Sequence, residues 1–206
     1  DNTITFSKCE QSSRGIIVFK PSNVEIRGST FRNCAYGEHG CGFAYNPSRS
    51  SDSFDNEQVS IEDTIFDSCY AANSQRERQS AIYIYINQSI VFNQVTVSNT
   101  MPGLNRNIII LEYPNGQIIE EQIFKDCKFI NCATNYEENH AGGIGLKYDN
   151  IKQLIFESCD FNGLRSTGFG GAVSFNDLRN ISNDYTIEFK ACKFNNNSAT
   201  GNSGKG

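Results

Sequence analysis

A chain of 206 residues that are 38% hydrophobic can bury a long, narrow core as one domain spanning 1–206, although that content is low for a compact globule. Lys and Arg number 18 against 23 Asp and Glu, a net charge of −5, and no basic run exceeds two residues. This argues against nucleic-acid binding and against attraction to an anionic membrane. No apolar run is long enough to insert across a bilayer.

The chain opens in strand-like sequence, Thr3-Ile4-Thr5-Phe6, followed by the apolar stretch Ile16-Ile17-Val18-Phe19. Phe31 begins the next unit, which passes through Gly40-Cys41-Gly42 to a polar insert, 46–56, that reads as a loop leaving the main body. After Phe66 comes a second polar loop, 73–79, then the alternating stretch Ile82-Tyr83-Ile84-Tyr85-Ile86. Val97 and the stretch from Ile108 to Leu111 form another unit; Phe129 and Gly142-Gly143 another; Phe161 and Gly170-Gly171-Ala172-Val173-Ser174-Phe175 another. Phe194 starts the last, and the chain ends in what resembles the start of a further glycine-bearing turn. Short runs rich in Ile, Val, Phe, Tyr and Thr, several alternating with polar residues, have strand periodicity. No window keeps an apolar helical stripe for three turns.

Seven of the eight cysteines lie three residues after a phenylalanine. Aligned on one column, Phe6, Phe31, Phe66, Val97, Phe129, Phe161 and Phe194 recur every 25 to 35 residues. Repetition of one residue type at one phase is the mark of a solenoid. Strands stacked about 4.8 Å apart place like residues in ladders. The pattern predicts a right-handed single-stranded parallel β-helix of about seven coils, each 25–35 residues long. Phe31, Phe66, Phe129, Phe161 and Phe194 should form one inward stack, with Cys34, Cys69, Cys127, Cys159 and Cys192 in buried columns beside it. Asn33, Asn99, Asn131 and Asn196 each stand one position before the cysteine column; asparagine tolerates left-handed backbone and bonds its own turn. Neither end carries the polar cap a solenoid needs, so the chain is expected to be a portion of a longer array whose neighbouring coils are partners.

Phe194-Asn195-Asn196-Asn197 and Gly170-Gly171-Ala172-Val173, with Gly142-Gly143-Ile144 close to the second, resemble the Phe-x-x-Asn and Gly-Gly-Ala-(Ile/Leu/Val) motifs of polymorphic outer membrane proteins. Similar repeats occur in large surface proteins of protists. The resemblance implies a surface-exposed, often adhesive β-helical passenger and brings no catalytic residues. Within the aligned column Phe-x-x-Asn is matched strictly once; the other copies read Phe-x-x-Cys or depart further.

The cysteines leave two readings open, a stack of thiols or one or more disulfides between coils, since stacked neighbours lie within disulfide reach. Zinc ligation is disfavoured because no Cys-x-x-Cys occurs. His39 and His140 lie coils apart and read as loop residues. Asp126, Glu157, Asp160 and Glu188 are the carboxylates that a polysaccharide-cleaving β-helix would need to converge. Adjacent coils set Lys125, Lys190, Lys128 and Lys193 at matching positions, which predicts ion-pair ladders. No cofactor is implied. Sequons at Asn87 and Asn180 are candidate glycosylation sites, and a third at Asn196 belongs to the turn ladder.

If Ile82, Ile84 and Ile86 face inward, Tyr83 and Tyr85 face out, with Ile110 beside Tyr83 on the next coil. That predicts an exposed aromatic patch able to stack a sugar or receive a partner. The expected function is a non-enzymatic, extracellular or cell-surface module acting in adhesion or structure, its partner a protein or glycan on a cell surface or in extracellular matrix. The alternative is a polysaccharide-binding or polysaccharide-cleaving, pectate-lyase-like β-helix.

Overall fold

The computed structural model describes residues 3–7, 10–12, 15–19, 23–34, 42–45, 58–69, 80–100, 108–113, 118–134, 144–147, 151–167, 171–176 and 186–200. The chain is an all-β parallel solenoid. One sheet stacks seven strands: Thr3–Ser7, Asn23–Arg27, Val59–Glu62, Val91–Asn93, Ile119–Lys125, Ile151–Glu157 and Thr186–Lys190. A second stacks Glu10–Ser12, Thr30–Arg32, Ile65–Asp67, Thr96–Ser98, Lys128–Ile130, Asp160–Asn162 and Lys193–Asn195. A third holds six strands, Ile16–Val18, Phe43–Tyr45, Ile82–Tyr85, Ile109–Glu112, Ile144–Lys147 and Val173–Asn176. A small fourth sheet joins Ala133–Thr134, Arg165–Ser166 and Ser198–Ala199. The expected count of seven coils is not matched. Among the described residues the last passage adds strands to the first, second and fourth sheets and none to the third.

Register shows two phenylalanine columns where the sequence pattern suggested one. In the second sheet Gln11, Phe31, Phe66, Val97, Phe129, Phe161 and Phe194 are in line. In the first sheet the column is Phe6, Ile26, Ile61, Phe92, Phe124, Phe156 and Phe189. Phe6 thus belongs with Phe124 and not with Phe31. Within each column the rings stack nearly parallel, as in Phe31–Phe66 at 4.9 Å, Phe124–Phe156 at 5.0 Å and Phe129–Phe161 at 5.2 Å. Between columns they meet edge-on, Phe124–Phe129 at 6.4 Å and Phe156–Phe161 at 5.6 Å. Offset stacks along the axis and edge contacts across it are both favourable for the ring quadrupole. Phe31, Phe66, Phe129 and Phe161 are fully buried, whereas Phe194, on the last strand in the order of its sheet, is 48% exposed.

Two backbone columns in the left-handed region turn each coil. Asn33, Ser68, Asn99, Asn131, Gly163 and Asn196 follow the second-sheet strands with φ between 51° and 68°. Gly28, Asp63, Gln94, Asp126, Ser158 and Ala191 do the same after the first-sheet strands, with φ between 45° and 55°. One left-handed residue bends a strand enough to aim both Phe and the residue three positions later inward, which flat strand geometry forbids. Gly42 serves the stack in another way: a Cβ there would lie 2.4 Å from Phe66 Cδ1.

The cysteine columns have a hydrogen-bonding explanation. Cys34, Cys127, Cys132, Cys159 and Cys192 each donate the thiol to the carbonyl two residues earlier. Ser29, Thr64 and Thr100 make the same bond with hydroxyls at the equivalent positions. The turn leaves a carbonyl facing the core, and a small side chain with one donor satisfies it. Cys34, Cys69, Cys127, Cys132, Cys159 and Cys192 carry thiols and form no disulfide; Cys9 and Cys41 lie outside the described residues.

Candidate functional site

The Tyr83 side of the third sheet is not the open surface the alternation suggested. Ala44, Tyr83 and Ile110 do share the outward face, in register, with Tyr85 opposite Glu112. However, Ala44 and Tyr83 have no solvent exposure, Ile110 has 6%, and Ile17 and Tyr85 pack against them as a second small core. The Tyr83 hydroxyl donates to Glu112 Oε2 at 2.7 Å. Strand periodicity fixes which face a side chain occupies, and it is silent on whether a second layer covers that face. A large apolar ring gains about 1.5–3 kcal/mol by burial, so Tyr83 and Ile110 are packing residues here. Tyr85 is half-buried at the margin.

An accessible concavity lies on the outer side of the first sheet. Gln58, Val59, Ser60, Asn87, Gln88, Ser89, Val91, Ile118, Ile119 and Glu120 line a groove of about 430 Å³ crossing three successive coils. Val91 and Ile118 are each 51% exposed. Around them are amides and hydroxyls: Gln58, Asn87, Gln88, Ser60 and Ser89. Glu120 is the carboxylate of this lining, and both of its oxygens accept from Lys152 Nζ, at 2.7 and 2.9 Å. Ser60 Oγ donates to Glu62 Oε1 at 2.8 Å.

A buried glutamine shapes the groove wall. Gln122 occupies the inward column of Leu154 and Ile187 and has no solvent exposure. Its Oε1 accepts the Ile90 N–H at 2.9 Å and its Nε2 donates to the Ile90 carbonyl at 2.7 Å. The side chain thus completes the hydrogen bonding of a backbone segment just before the strand Val91–Asn93. Ser89 adds a bond from its hydroxyl to the Glu121 carbonyl. Together these bonds fix the segment from Ser89 to Val91 against the neighbouring coil. Gln122 belongs to no sequence motif; its signal is an amide two residues before the first-sheet Phe column, a phase that Val24, Val59 and Leu154 fill on other coils.

The remaining sequence candidates fall in different places. Asn87 is half-buried and lines the groove. Asn196 is a left-handed turn residue. Asn180, His39, His140 and the two polar loops lie outside the described residues. The charged columns Lys125–Glu157–Lys190 and Lys128–Asp160–Lys193 stand in register on adjacent coils. Arg27 pairs with Glu62 across coils at 3.7 Å, and Lys190 with Glu188 along one strand at 2.7 Å. The Lys190 ammonium holds the Glu188 carboxyl below its usual range. Among the described residues no three His, Cys, Asp or Glu side chains converge as a metal site.

The described thiols are shielded rather than activated. Burial pushes Cys132 up to about 12, and it raises Cys192 as well. Hydrogen bonding with Cys127, followed by burial, raises Cys159. Cys34 is shifted the other way by its bond with Cys69, but it too is fully buried. Nucleophilic or metal-binding thiolates need a lowered pKa together with access. Compared with known proteins, the chain matches no family model, no curated protein and no solved structure.

Proposed function

We propose that the chain is a non-enzymatic, secreted or cell-surface β-helical module acting in adhesion or in extracellular structure. The observation that carries this reading is the groove over three coils, where exposed Val91 and Ile118 sit among amides and hydroxyls. Apolar contact flanked by uncharged donors and acceptors suits a glycan or a polar segment of a partner protein. The Phe-x-x-Asn/Cys and Gly-Gly-Ala-Val elements, which resemble those of polymorphic outer membrane proteins, support the same surface role.

Polysaccharide binding is the second reading, favoured by the amide and hydroxyl lining. Cleavage would require a second carboxylate facing Glu120 across the bond to be broken, and Glu120 is engaged by Lys152. A glycan array and a cell-adhesion assay test both readings. The double variant Val91→Ser, Ile118→Ser, made at exposed positions, should lose most binding while keeping the wild-type unfolding midpoint. Equal adhesion by wild type and variant refutes the groove as the site. Depolymerisation of a bound glycan by the wild type refutes the non-enzymatic reading.

A further inference from the structure

The groove on the first sheet carries a modification motif in its own lining. Asn87, Gln88 and Ser89 are consecutive there and form the sequon Asn-Gln-Ser, the acceptor sequence for N-linked sugar. They occupy a short bend between the third-sheet strand Ile82–Tyr85 and the first-sheet strand Val91–Asn93. Both flanks are pinned: the Ile86 N–H donates to the Glu112 carbonyl at 3.2 Å, and the Ile90 N–H to Gln122 Oε1 at 2.9 Å. A group attached to Asn87 therefore starts from a fixed point on the groove that Val91 and Ile118, each 51% exposed, also line. Asn87 Oδ1 is buried, so the arm of the planar amide left to the groove is Nδ2, the nitrogen that takes the sugar.

We propose that Asn87 carries an N-linked glycan whose first sugars lie in this groove and close it to an outside partner. It rests on the secreted, groove-binding reading above and adds a regulation of that site. The groove volume of about 430 Å³ falls within the range of small-ligand sites, roughly 300–1,000 Å³. A pyranose presents a C–H face and a rim of hydroxyls. The face covers Val91 and Ile118, which is favourable in proportion to the apolar area removed from water, and the rim meets the amides of Gln58 and Gln88. Attachment joins Nδ2 to the anomeric carbon of an oligosaccharide carried on a polyprenyl diphosphate. The bond from that carbon to the diphosphate oxygen breaks, the diphosphate leaves with the electron pair, and Nδ2 gives one proton to the transferase. Ser89 supplies the hydroxyl of the sequon, and in the folded chain that hydroxyl is bonded to the Glu121 carbonyl. Transfer therefore belongs to the chain before this coil closes. Copies that fold unmodified keep an open groove, and modified copies keep it shut.

The test compares the full chain secreted from a eukaryotic host with the same chain made in a bacterial cytoplasm, which lacks the transferase. Glycopeptide mass spectrometry reads occupancy at Asn87, and hydroxyl-radical footprinting reads side-chain exposure. The secreted chain should carry sugar at Asn87. Its oxidation at Val91 and Ile118 should fall to the level of Ile90, which is 2% exposed, while Ile65, 38% exposed on the second sheet, is oxidised equally in both forms. Asn87→Gln from the secretory host should return Val91 and Ile118 to the labelling of the bare chain, which excludes the host as the cause. An unmodified Asn87 in the secreted chain overturns the proposal. So does a modified Asn87 with Val91 and Ile118 labelled as in the bare chain, since the glycan then stands in solvent. The footprint needs no partner. Failure of the bare chain in the glycan array and adhesion assay would count against the groove as a binding site, and the footprint would still decide where the glycan sits.

Discussion

Phe129→Ala tests the stacked core most directly. Phe129 has no solvent exposure, lies over Val97 in register, stacks on Phe161 at 5.2 Å and meets Phe124 edge-on at 6.4 Å. Removing a buried ring costs about 3–5 kcal/mol, with the upper end reached where the surroundings cannot collapse. Neighbours held by cross-coil hydrogen bonds above and below are such a case, so about 4–5 kcal/mol is expected. With a urea dependence of about 2 kcal/mol per M, the midpoint should fall by about 2 M. Phe194→Ala supplies the internal control. Its ring keeps one stacked neighbour, Phe161 at 4.7 Å, and is 48% exposed. About half of a full burial is lost, on the order of 1 kcal/mol, or about 0.5 M. Equal shifts for the two variants, or a shift for Phe129→Ala under about 0.5 M, would refute a continuous axial stack.

Two further outcomes follow from packing and from the thiols. Tyr83→Ser should destabilise the fold by about 3 kcal/mol or more, since it opens a cavity in the second small core; an unchanged midpoint would return Tyr83 to the surface. The Cys132 thiol, raised from 9.0 to about 12 in the folded chain, holds its proton more tightly folded than unfolded. Its contribution is fully present below pH 9 and is lost as pH rises towards 12, at up to about 1.4 kcal/mol per pH unit. Urea midpoints from pH 7 to 10.5 should therefore fall less steeply in Cys132→Thr, which keeps a donor as Thr100 does; identical slopes in the two proteins would contradict this linkage.

The repeat was legible because stacking forces one residue type into one phase, and both Phe and the left-handed Asn column answer to that constraint. What misplaced Phe6 is equally physical. The two phenylalanine columns stand five residues apart in each coil, as in Phe124 and Phe129 or Phe156 and Phe161. The first coil is short, with Phe6 opposite Ile26. A five-residue error in period therefore exchanges the columns while preserving Phe-x-x-Cys. The Tyr83 patch failed for a different reason: alternation encodes the face and not its cover. The groove left no motif, because Ser60, Val91 and Ile118 come from separate coils and only register brings them together.

The cross-coil hydrogen bonds have a mechanical meaning. They point along the stacking axis, as in Asn131 N–H to the Asn162 carbonyl at 2.9 Å, so tension applied between the ends loads one coil boundary at a time instead of shearing a whole sheet. Releasing a single coil, such as the stretch separating Phe129 from Phe161, would free roughly 100 Å of contour length at about 3.4 Å per residue. It would leave the remaining coils stacked, because each one contacts only its neighbours. A tether built this way lengthens in steps and dissipates work at every step, well before the rod as a whole comes apart.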